Sequence, residues 1–193
     1  MSDSAALAVF ILIAMGAAGV AHVMWLNWAQ SELLLAPIDC GAHFRGRRVF
    51  GDNKRLRGFV ALPLAAAGTF AAFAASRDWL PESLARGLWS LPTLQFAGIG
   101  FAAGCAFVLA ELPNSFLKRQ LGVAPGEVPA QGSLRVFCLL LDRVDSTLGV
   151  LIVVSLLAPV PAMTWLWVLL IGPGVHAFFS TMLFRIGVKE RAL

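Results

Sequence analysis

Five long apolar stretches constrain the fold of this 193-residue chain more than any other feature. A helix needs about 20 apolar residues to cross the hydrocarbon core of a bilayer, and a spanning segment must satisfy its own backbone hydrogen bonds. A transmembrane β-barrel would instead show short alternating segments. The stretches lie near residues 4–26, 59–75, 91–110, 134–158 and 163–184. The sequence therefore predicts an all-α fold, a polytopic membrane helical bundle of about five transmembrane helices.

The composition agrees with a membrane location. Hydrophobic residues make up 59% of the chain and charged residues 13%, whereas about a quarter of the residues in soluble domains are charged. We find no separate soluble segment, so residues 1–193 are expected to form a single membrane domain. Only Asp3 is charged before the first stretch. This is a poor match to a signal peptide, and we expect an uncleaved first helix.

The basic residues are distributed unevenly between the connections. Residues 27–58 and the C-terminal tail are rich in Lys and Arg, and residues 111–133 hold Lys118 and Arg119, with Arg135 close behind. Residues 76–90 hold two basic and two acidic residues, and residues 159–162 are uncharged. The positive-inside rule then places the basic connections and the C-terminus in the cytoplasm and the N-terminus outside. The formal charge of +4 follows from this arrangement, and no nucleic-acid partner is expected. We predict a multi-pass protein of the cell (inner or plasma) membrane.

Two carboxylates stand inside the fourth stretch. Asp142 and Asp145 are three residues apart and share one face of a helix. Buried acids are costly, and two like charges this close repel each other. A divalent cation would remove both problems, and oxygen ligands without His or Cys favour Mg²⁺ over Zn²⁺. A structural ion pair with Arg143 or with a loop arginine explains the spacing equally well.

A polar segment follows the third stretch. Lys118 and Arg119 come directly after this membrane helix and, taken alone, would be a topological anchor. Asn114 and Ser115 add groups that can hydrogen-bond phosphate oxygens, and Glu111 adds a third acid near the membrane surface. The segment is therefore a candidate anion site.

Residues 27–58, called the basic loop below, carry six basic side chains: Arg45, Arg47, Arg48, Lys54, Arg55 and Arg57. Such a loop can attract anionic lipid headgroups or bind a nucleotide triphosphate. Gly51 and Gly58 allow the backbone to approach an anion closely. The loop has no GxxxxGK[ST] motif, so a P-loop ATPase is not supported.

The fifth stretch contains Gly172-Pro173-Gly174, which we expect to break or kink the helix. His176 follows directly. An intramembrane histidine is a functional candidate by default, and a structural role is equally compatible with the sequence.

Together these motifs resemble a known family. The run Ser115-Phe-Leu-Lys118-Arg119, followed by Asp142-Arg143-Val-Asp145-Ser146, resembles the split signature of the membrane cytidylyltransferases, which include phosphatidate cytidylyltransferase. The short chain is more similar to the CDP-archaeol synthase branch. The similarity to that branch extends to its first cytoplasmic loop, through Pro37-Ile-Asp39, Gly51-Asp52-Asn53-Lys54 and Arg57-Gly58.

Some positions differ from the archaeal pattern. Lys54-Arg55-Leu56-Arg57-Gly58 stands where that pattern has Lys-Thr-Trp-Arg-Gly, and Ala110-Glu111 stands where it has Gly-Asp. The substitutions keep the charges and leave ester-linked and ether-linked lipid substrates both open.

The resemblance implies that CTP and a membrane lipid phosphate, either phosphatidate or an archaetidic-type ether lipid, react to give a CDP-lipid and pyrophosphate, with Mg²⁺ as cofactor. The implied catalytic residues are Lys118, Arg119, Asp142 and Asp145. The implied metal ligands are Asp142, Asp145 and Glu111. The implied substrate-binding residues are Asn27, Asp39, Lys54, Arg57, Asn114, Ser115 and His176. The oligomeric state stays open, with a homodimer as one option.

Other functional classes compete with this interpretation. Intramembrane acids, His176 and a broken helix also suit a small transporter or ion pathway, although the spans are few and no repeat is visible. A non-catalytic scaffold would explain the basic loops but not the paired acids. CDP-alcohol phosphotransferases are similar in size and membrane setting, but their Asp-Gly…Ala-Arg…Gly…Asp…Asp motif is absent from this sequence.

Overall fold

The computed structural model describes residues 2–28, 34–125, 127 and 132–185. Its helices are α1 (Asp3–Trp28), α2 (Leu56–Ala75), the short α3 (Glu82–Ala85), α4 (Thr93–Gln120), α5 (Ser133–Leu157) and α6 (Ala162–Arg185). The five long helices coincide with the five apolar stretches. The expected helical architecture is confirmed, with one addition described below, a hairpin of two very short strands.

Membrane-spanning character is clearest for three helices. Within the described residues, Asp3–Leu26, Leu56–Ala75 and Thr93–Gln120 are long and apolar enough to cross a bilayer, and a shorter apolar helix runs over Ala162–Val175. These helices support a membrane protein. The number of five spans and the orientation of the termini stay predictions.

Two helix boundaries differ from the sequence-based expectation. α4 does not end near residue 110 but continues to Gln120, so the polar segment after the third stretch is helical and not a loop. α6 continues through Pro173, so a break at Gly172-Pro173-Gly174 is wrong, and the alternative expectation, a kink, stays a prediction. A proline removes one backbone N–H from the helix, and membrane helices tolerate this loss where neighbouring groups satisfy the freed carbonyl.

The long helices pack as a closed cycle of neighbours, in the order α1, α2, α4, α5, α6 and back to α1. An aromatic cluster fills one end of the helix bundle. The ring of Phe10 lies edge-on to Phe70, Phe73, Trp89 and Phe96, with centroid distances of 4.9 to 5.8 Å. Edge-to-face pairs of this kind stabilise beyond their buried area, so this end of the bundle is firmly packed.

Glycines bring α4 against α2. A Cβ atom on Gly104 would lie 2.5 Å from the Cα of Pro63, and one on Gly100 would meet the carbonyl oxygen of Ala66 even more closely. Small residues let membrane helices approach backbone to backbone. This contact fixes α4 beside α2, and thereby places the C-terminal end of α4 next to the basic loop that leads into α2.

The basic loop contains a small antiparallel hairpin of β1 (His43–Phe44) and β2 (Arg47–Arg48). Arg45 and Gly46 connect the strands, and both have positive φ angles, of 51° and 76°. Two positive φ angles are the signature of the two-residue type I′ turn, whose twist matches that of paired strands. The hairpin gives the loop a defined shape that composition alone did not predict.

Candidate functional site

Asp39 organises the basic loop. Its carboxylate accepts hydrogen bonds from the Arg48 guanidinium at 2.7 Å and from the backbone N–H groups of Phe50, Gly51 and Gly41 at 2.9, 3.0 and 3.1 Å. Burial by itself raises the pKa of this carboxyl, but the bonds from Arg48 and the backbone outweigh it and hold the pKa well below its usual range. Asp39 therefore has a structural role here, and its predicted contact with substrate stays a prediction.

The folded loop docks on the C-terminal end of α4. The Arg47 guanidinium donates to the carbonyl of Gln120, and the Gln120 amide donates to the carbonyl of Arg48 at 3.4 Å. The rings of Phe44 and Phe116 lie 5.7 Å apart. These contacts hold the hairpin against α4 and carry the rest of the loop with it.

Gly51 lies where the loop passes the side chain of Arg119. Its φ angle is 94°, and an added Cβ would lie 2.9 Å from Pro125 Cγ and 3.6 Å from Arg119 Cδ. Both the backbone conformation and the space favour glycine. The loop backbone thus packs along the Arg119 stem.

A lysine–carboxylate pair joins α4 to α5. Lys118 is only 8% exposed and donates to Asp142 Oδ1 at 2.6 Å. Asn114 donates from Nδ2 to Asp142 at 2.5 Å and to Asp145 at 3.3 Å, so one amide bridges both acids. The sequence offered Arg143 or a loop arginine as the ion-pair partner. The partner of Asp142 is instead Lys118, and the Arg143 side chain lies outside the described part of the structure.

A second such pair joins the basic loop to the same helices. Lys54 forms an ion pair with Glu111. The Ser146 hydroxyl, which has one proton to donate, lies 3.3 Å from a Glu111 oxygen and 3.1 Å from an Asp145 oxygen. Glu111 and Asp145 therefore share one hydroxyl group. The three acids that the sequence singled out converge at the junction of α4, α5 and the basic loop.

Arg119 supplies a buried positive charge beside the basic loop, one position after Lys118 on α4. The residue is 6% exposed, and across the described part of the chain no hydrogen-bond partner reaches its Nε or Nη1. Burying a cation without a partner is costly. The arrangement therefore leaves two N–H donors available for an anion.

His22 of α1 also reaches the site, and sequence reasoning assigned it no role. Its Nε2 is buried without a hydrogen-bond partner among the described residues and lies 3.8 Å from the position that a Cβ on Gly58 would take. The imidazole interacts electrostatically with Glu111 and Arg57. The rule for intramembrane histidines, which the sequence analysis applied to His176, would have identified His22 as well.

The remaining predicted residues differ in what the structure shows. Ser115 is half-buried on α4, one position after Asn114. Asn27 and His176 lie on α1 and α6, but their side chains are outside the described part of the structure. The structure thus brings together Glu111, Asp142 and Asp145 with Asn114, Lys118 and Lys54. The catalytic, substrate-binding and metal roles of all the predicted residues stay predictions.

A comparison with known proteins identifies the family. Residues 33–192 match the sequence model described as CarS-like, CDP-archaeol synthase. This chain belongs to the CDP-archaeol synthase family. The CDP-archaeol synthase of Methanoculleus marisnigri is 31% identical over 165 residues, covering 80% of this chain and 87% of that protein. The CDP-archaeol synthase of Thermofilum pendens is 29% identical over 177 residues, covering 90% and 74%. No solved structure matches the chain.

Membership of the CDP-archaeol synthase family confirms the resemblance to CDP-archaeol synthases and identifies the chain as a transferase with membrane helices. The wider resemblance to phosphatidate cytidylyltransferase stays a prediction. The matched range begins at residue 33, after α1, and includes residues 33–58 of the basic loop, α4, α5 and α6. It therefore covers every element of the candidate site except His22 and Asn27, which lie on α1.

The donor set of this CDP-archaeol synthase family member fits a hard cation. Asp142 and Asp145 are held side by side by the Asn114 amide, whose Oδ1 is buried and has no hydrogen-bond partner within the described residues. Carboxylate and amide oxygens are the ligands that Mg²⁺ prefers. Among the described residues, no three His, Cys, Asp or Glu side chains are grouped at metal-binding spacing. Lys54 engages Glu111 and Lys118 engages Asp142, so the metal roles of Asp142, Asp145 and Glu111 all stay predictions.

Proposed function

We propose that the chain is a CTP-dependent cytidylyltransferase that converts a membrane lipid phosphate to a CDP-lipid and releases pyrophosphate. The observation that carries this proposal is the buried Arg119 guanidinium with unpaired N–H groups, next in sequence to the Lys118 that pairs with Asp142. Membership of a family whose relatives are named CDP-archaeol synthase supports the same reaction.

The reaction is a displacement at phosphorus. An oxygen of the lipid phosphate attacks the α-phosphorus of CTP, a new P–O bond forms, and the bond to the β-phosphate oxygen breaks to release pyrophosphate. Both reactants are anions, so the site must offset negative charge as the transition state forms. Fixed cations that are already in place do this without reorganisation at the moment of reaction.

Four cations of the site would offset the negative charge of the phosphates, each in a different way. Arg119 offers two N–H donors in a planar group suited to phosphate oxygens. Lys54 and Lys118 act as point charges, each held by a carboxylate, and Arg57 adds a fourth cation beside His22. Substrate phosphates compete with the carboxylates for the lysines, which places the nucleotide between α4, α5 and the basic loop.

The acids position the lysines and supply oxygen ligands. Asn114 keeps the Asp142 and Asp145 carboxylates adjacent, and Ser146 links Asp145 to Glu111. Asp142, Asp145 and Asn114 Oδ1 would hold Mg²⁺. When bound, this ion would supply positive charge that offsets the negative charge of the phosphates. The lipid chains would stay within the bilayer while the headgroup reacts.

The test is a transfer assay with purified protein, Mg²⁺ and labelled CTP across a panel of ester-linked and ether-linked lipid phosphates. We expect a labelled CDP-lipid and stoichiometric pyrophosphate. Asp145→Asn should lower turnover by about 100-fold or more, the size of effect seen when one electrostatic group of a site is removed. Asp52→Asn, which changes an exposed carboxylate of the basic loop, should retain activity.

Ordinary turnover by Asp145→Asn would contradict the role assigned to the paired acids. Substrate-dependent ion flux without nucleotide turnover would contradict the enzyme and support the transporter.

A further inference from the structure

His22 brings an imidazole ring into an otherwise apolar stretch of α1. It lies within the candidate membrane span Asp3–Leu26 and before residue 33, where the match to the family model begins. Its Nε2 atom is buried and has no hydrogen-bond partner among the described residues. Because a buried polar atom without a partner costs free energy, a ligand that pairs with Nε2 would account for the residue.

The His22 ring lies against the first turn of α2. A Cβ on Gly58 would be 3.8 Å from Nε2 and 4.0 Å from Cε1, and no atom of any other element comes within 4 Å of that point in the described structure. The missing side chain of Gly58 therefore leaves a space beside Nε2.

The groups around this space suit an anion. His22 interacts electrostatically with Arg57 and Glu111, and the Glu111 carboxylate already has Lys54 as its partner. The backbone N–H groups of the first three residues of α2 donate to carbonyls of the basic loop, so a ligand here would be bound by side chains. An imidazole N–H and a guanidinium both donate, whereas phosphate oxygens accept.

We infer that His22 donates a hydrogen bond from Nε2 to a phosphate oxygen of one of the two substrates, the lipid phosphate or CTP, beside Arg57. The inference rests on the proposed function and adds a binding residue that lies outside the range of the family match. Both substrates carry the phosphate group that these two donors would bind, so each substrate is tested separately.

The first test separates the hydrogen bond of His22 from its packing. His22→Phe keeps an aromatic ring and removes both nitrogens, whereas His22→Gln keeps an N–H donor at about the position of Nε2. The Kd values of CTP alone and of dihexanoyl phosphatidate alone are measured by calorimetry on the purified protein. His22→Phe should raise the Kd of one ligand about tenfold or more, the effect of losing one hydrogen bond to a charged group. His22→Gln should recover most of this affinity, and the ligand affected is the source of the phosphate.

The second test fills the space and keeps the histidine. A methyl group on Gly58 would make ordinary van der Waals contact with the His22 ring, and alanine favours a helix over glycine. Gly58→Ala should therefore weaken binding of the same ligand without lowering the melting temperature. Gly68→Ala on α2, where nothing lies within 4 Å of a Cβ, is the matched control. His43→Phe, which changes an exposed histidine of β1, should leave both Kd values unchanged.

Four results would overturn the inference. These are unchanged Kd values in His22→Phe, an equal loss in His22→Phe and His22→Gln, an equal rise for both ligands, and wild-type binding in Gly58→Ala. If His22→Phe does not fold, His22→Gln and Gly58→Ala decide, since the inference requires near wild-type binding in the first and weaker binding in the second.

The binding measurements are independent of the proposed reaction. If phosphate binding depends on His22 and no CDP-lipid forms, the proposed reaction fails and the inference stands. If CDP-lipid forms and His22→Phe binds both ligands normally, the inference fails and the reaction stands.

Discussion

Replacing the Asp39 carboxylate with an amide tests whether one side chain sets the order of the basic loop. In Asp39→Asn, one of the two carboxylate oxygens becomes an NH₂ group. The Oδ2 oxygen accepts from the N–H groups of Phe50 and Gly51, and Oδ1 accepts from Arg48 and from the Gly41 N–H. Whichever way the amide turns, one acceptor atom is lost, and at least two donors that bonded to it then face an NH₂ group.

The magnitude follows from the number of bonds. A hydrogen bond to a charged group contributes about 1.5–3 kcal/mol, so two lost bonds correspond to about 3 kcal/mol at the lower end of that range. The lower end applies because Arg48 keeps access to water, with 25% of its side chain exposed. A change of this size raises the population of the opened loop by about 100-fold.

Hydrogen exchange, followed by mass spectrometry on purified protein, measures the population of the opened loop. We expect the peptides that contain Phe50 and Gly51 to exchange about 100-fold faster in Asp39→Asn, because opening precedes exchange. Peptides from the packed half of α4 around Phe96 should exchange at the wild-type rate. The variant should also bind CTP more weakly, since the loop carries Lys54.

Asp52→Asn is the matched control. Asp52 lies in the same loop and pairs with the same Arg48, but its side chain is 70% exposed, and exposed pairs contribute about 0–1 kcal/mol. In Asp52→Asn, the peptides that contain Phe50 and Gly51 should exchange no more than about fivefold faster, which corresponds to the upper end of that energy range. Wild-type exchange in Asp39→Asn, or equal acceleration in both variants, would refute the assignment of Asp39 as the organiser of the loop.

Three further outcomes are expected. Lys118→Met should lower turnover about 100-fold or more in steady-state assays, because it removes a cation from the site and leaves Asp142 unpaired; unchanged turnover would contradict this. Gly104→Ala should lower the melting temperature in detergent, since the added methyl group meets the backbone of α2 and overpacking costs about 1–3 kcal/mol. Gly98→Ala, which meets open space, should not. Acidification from neutral pH to about 5 should leave the exchange protection of the basic loop intact once intrinsic rates are corrected. A carboxyl with a lowered folded pKa, such as that of Asp39, stabilises fully above its unfolded pKa of about 3.9 and loses this contribution only as the pH falls toward the folded value. Loss of protection at pH 5 would contradict it.

The helical architecture could be predicted because apolar runs of spanning length leave few alternatives. The ends of the helices were harder to predict, because the residues change from apolar to polar before the backbone hydrogen bonds of the helix end. α4 continues to Gln120 although Glu111 already ends the apolar run. Polar residues can continue a helix where their side chains form hydrogen bonds or ion pairs with neighbouring elements. Here Lys54, Asp142 and Asp145 form such contacts with the polar side chains of α4.

Much of the candidate site could be predicted for the same reason, because acids and cations beside a membrane need partners. The spacing of Asp142 and Asp145 predicted their adjacency, which the Asn114 amide now demonstrates. The pairing of Lys118 with Asp142 could not be predicted, because it depends on how α4 and α5 are rotated against each other. The structural role of Asp39 depends likewise on the backbone of a hairpin that the loop composition does not specify.

The two lysine–carboxylate pairs have a thermodynamic consequence. Under the proposed function, a phosphate that takes Lys118 or Lys54 would free Asp142 or Glu111, and the freed carboxylate would then be available to bind a cation. Anion and cation binding would therefore be linked, and each would raise the affinity for the other by the same factor. In the structure as described, the lysines and acids neutralise each other.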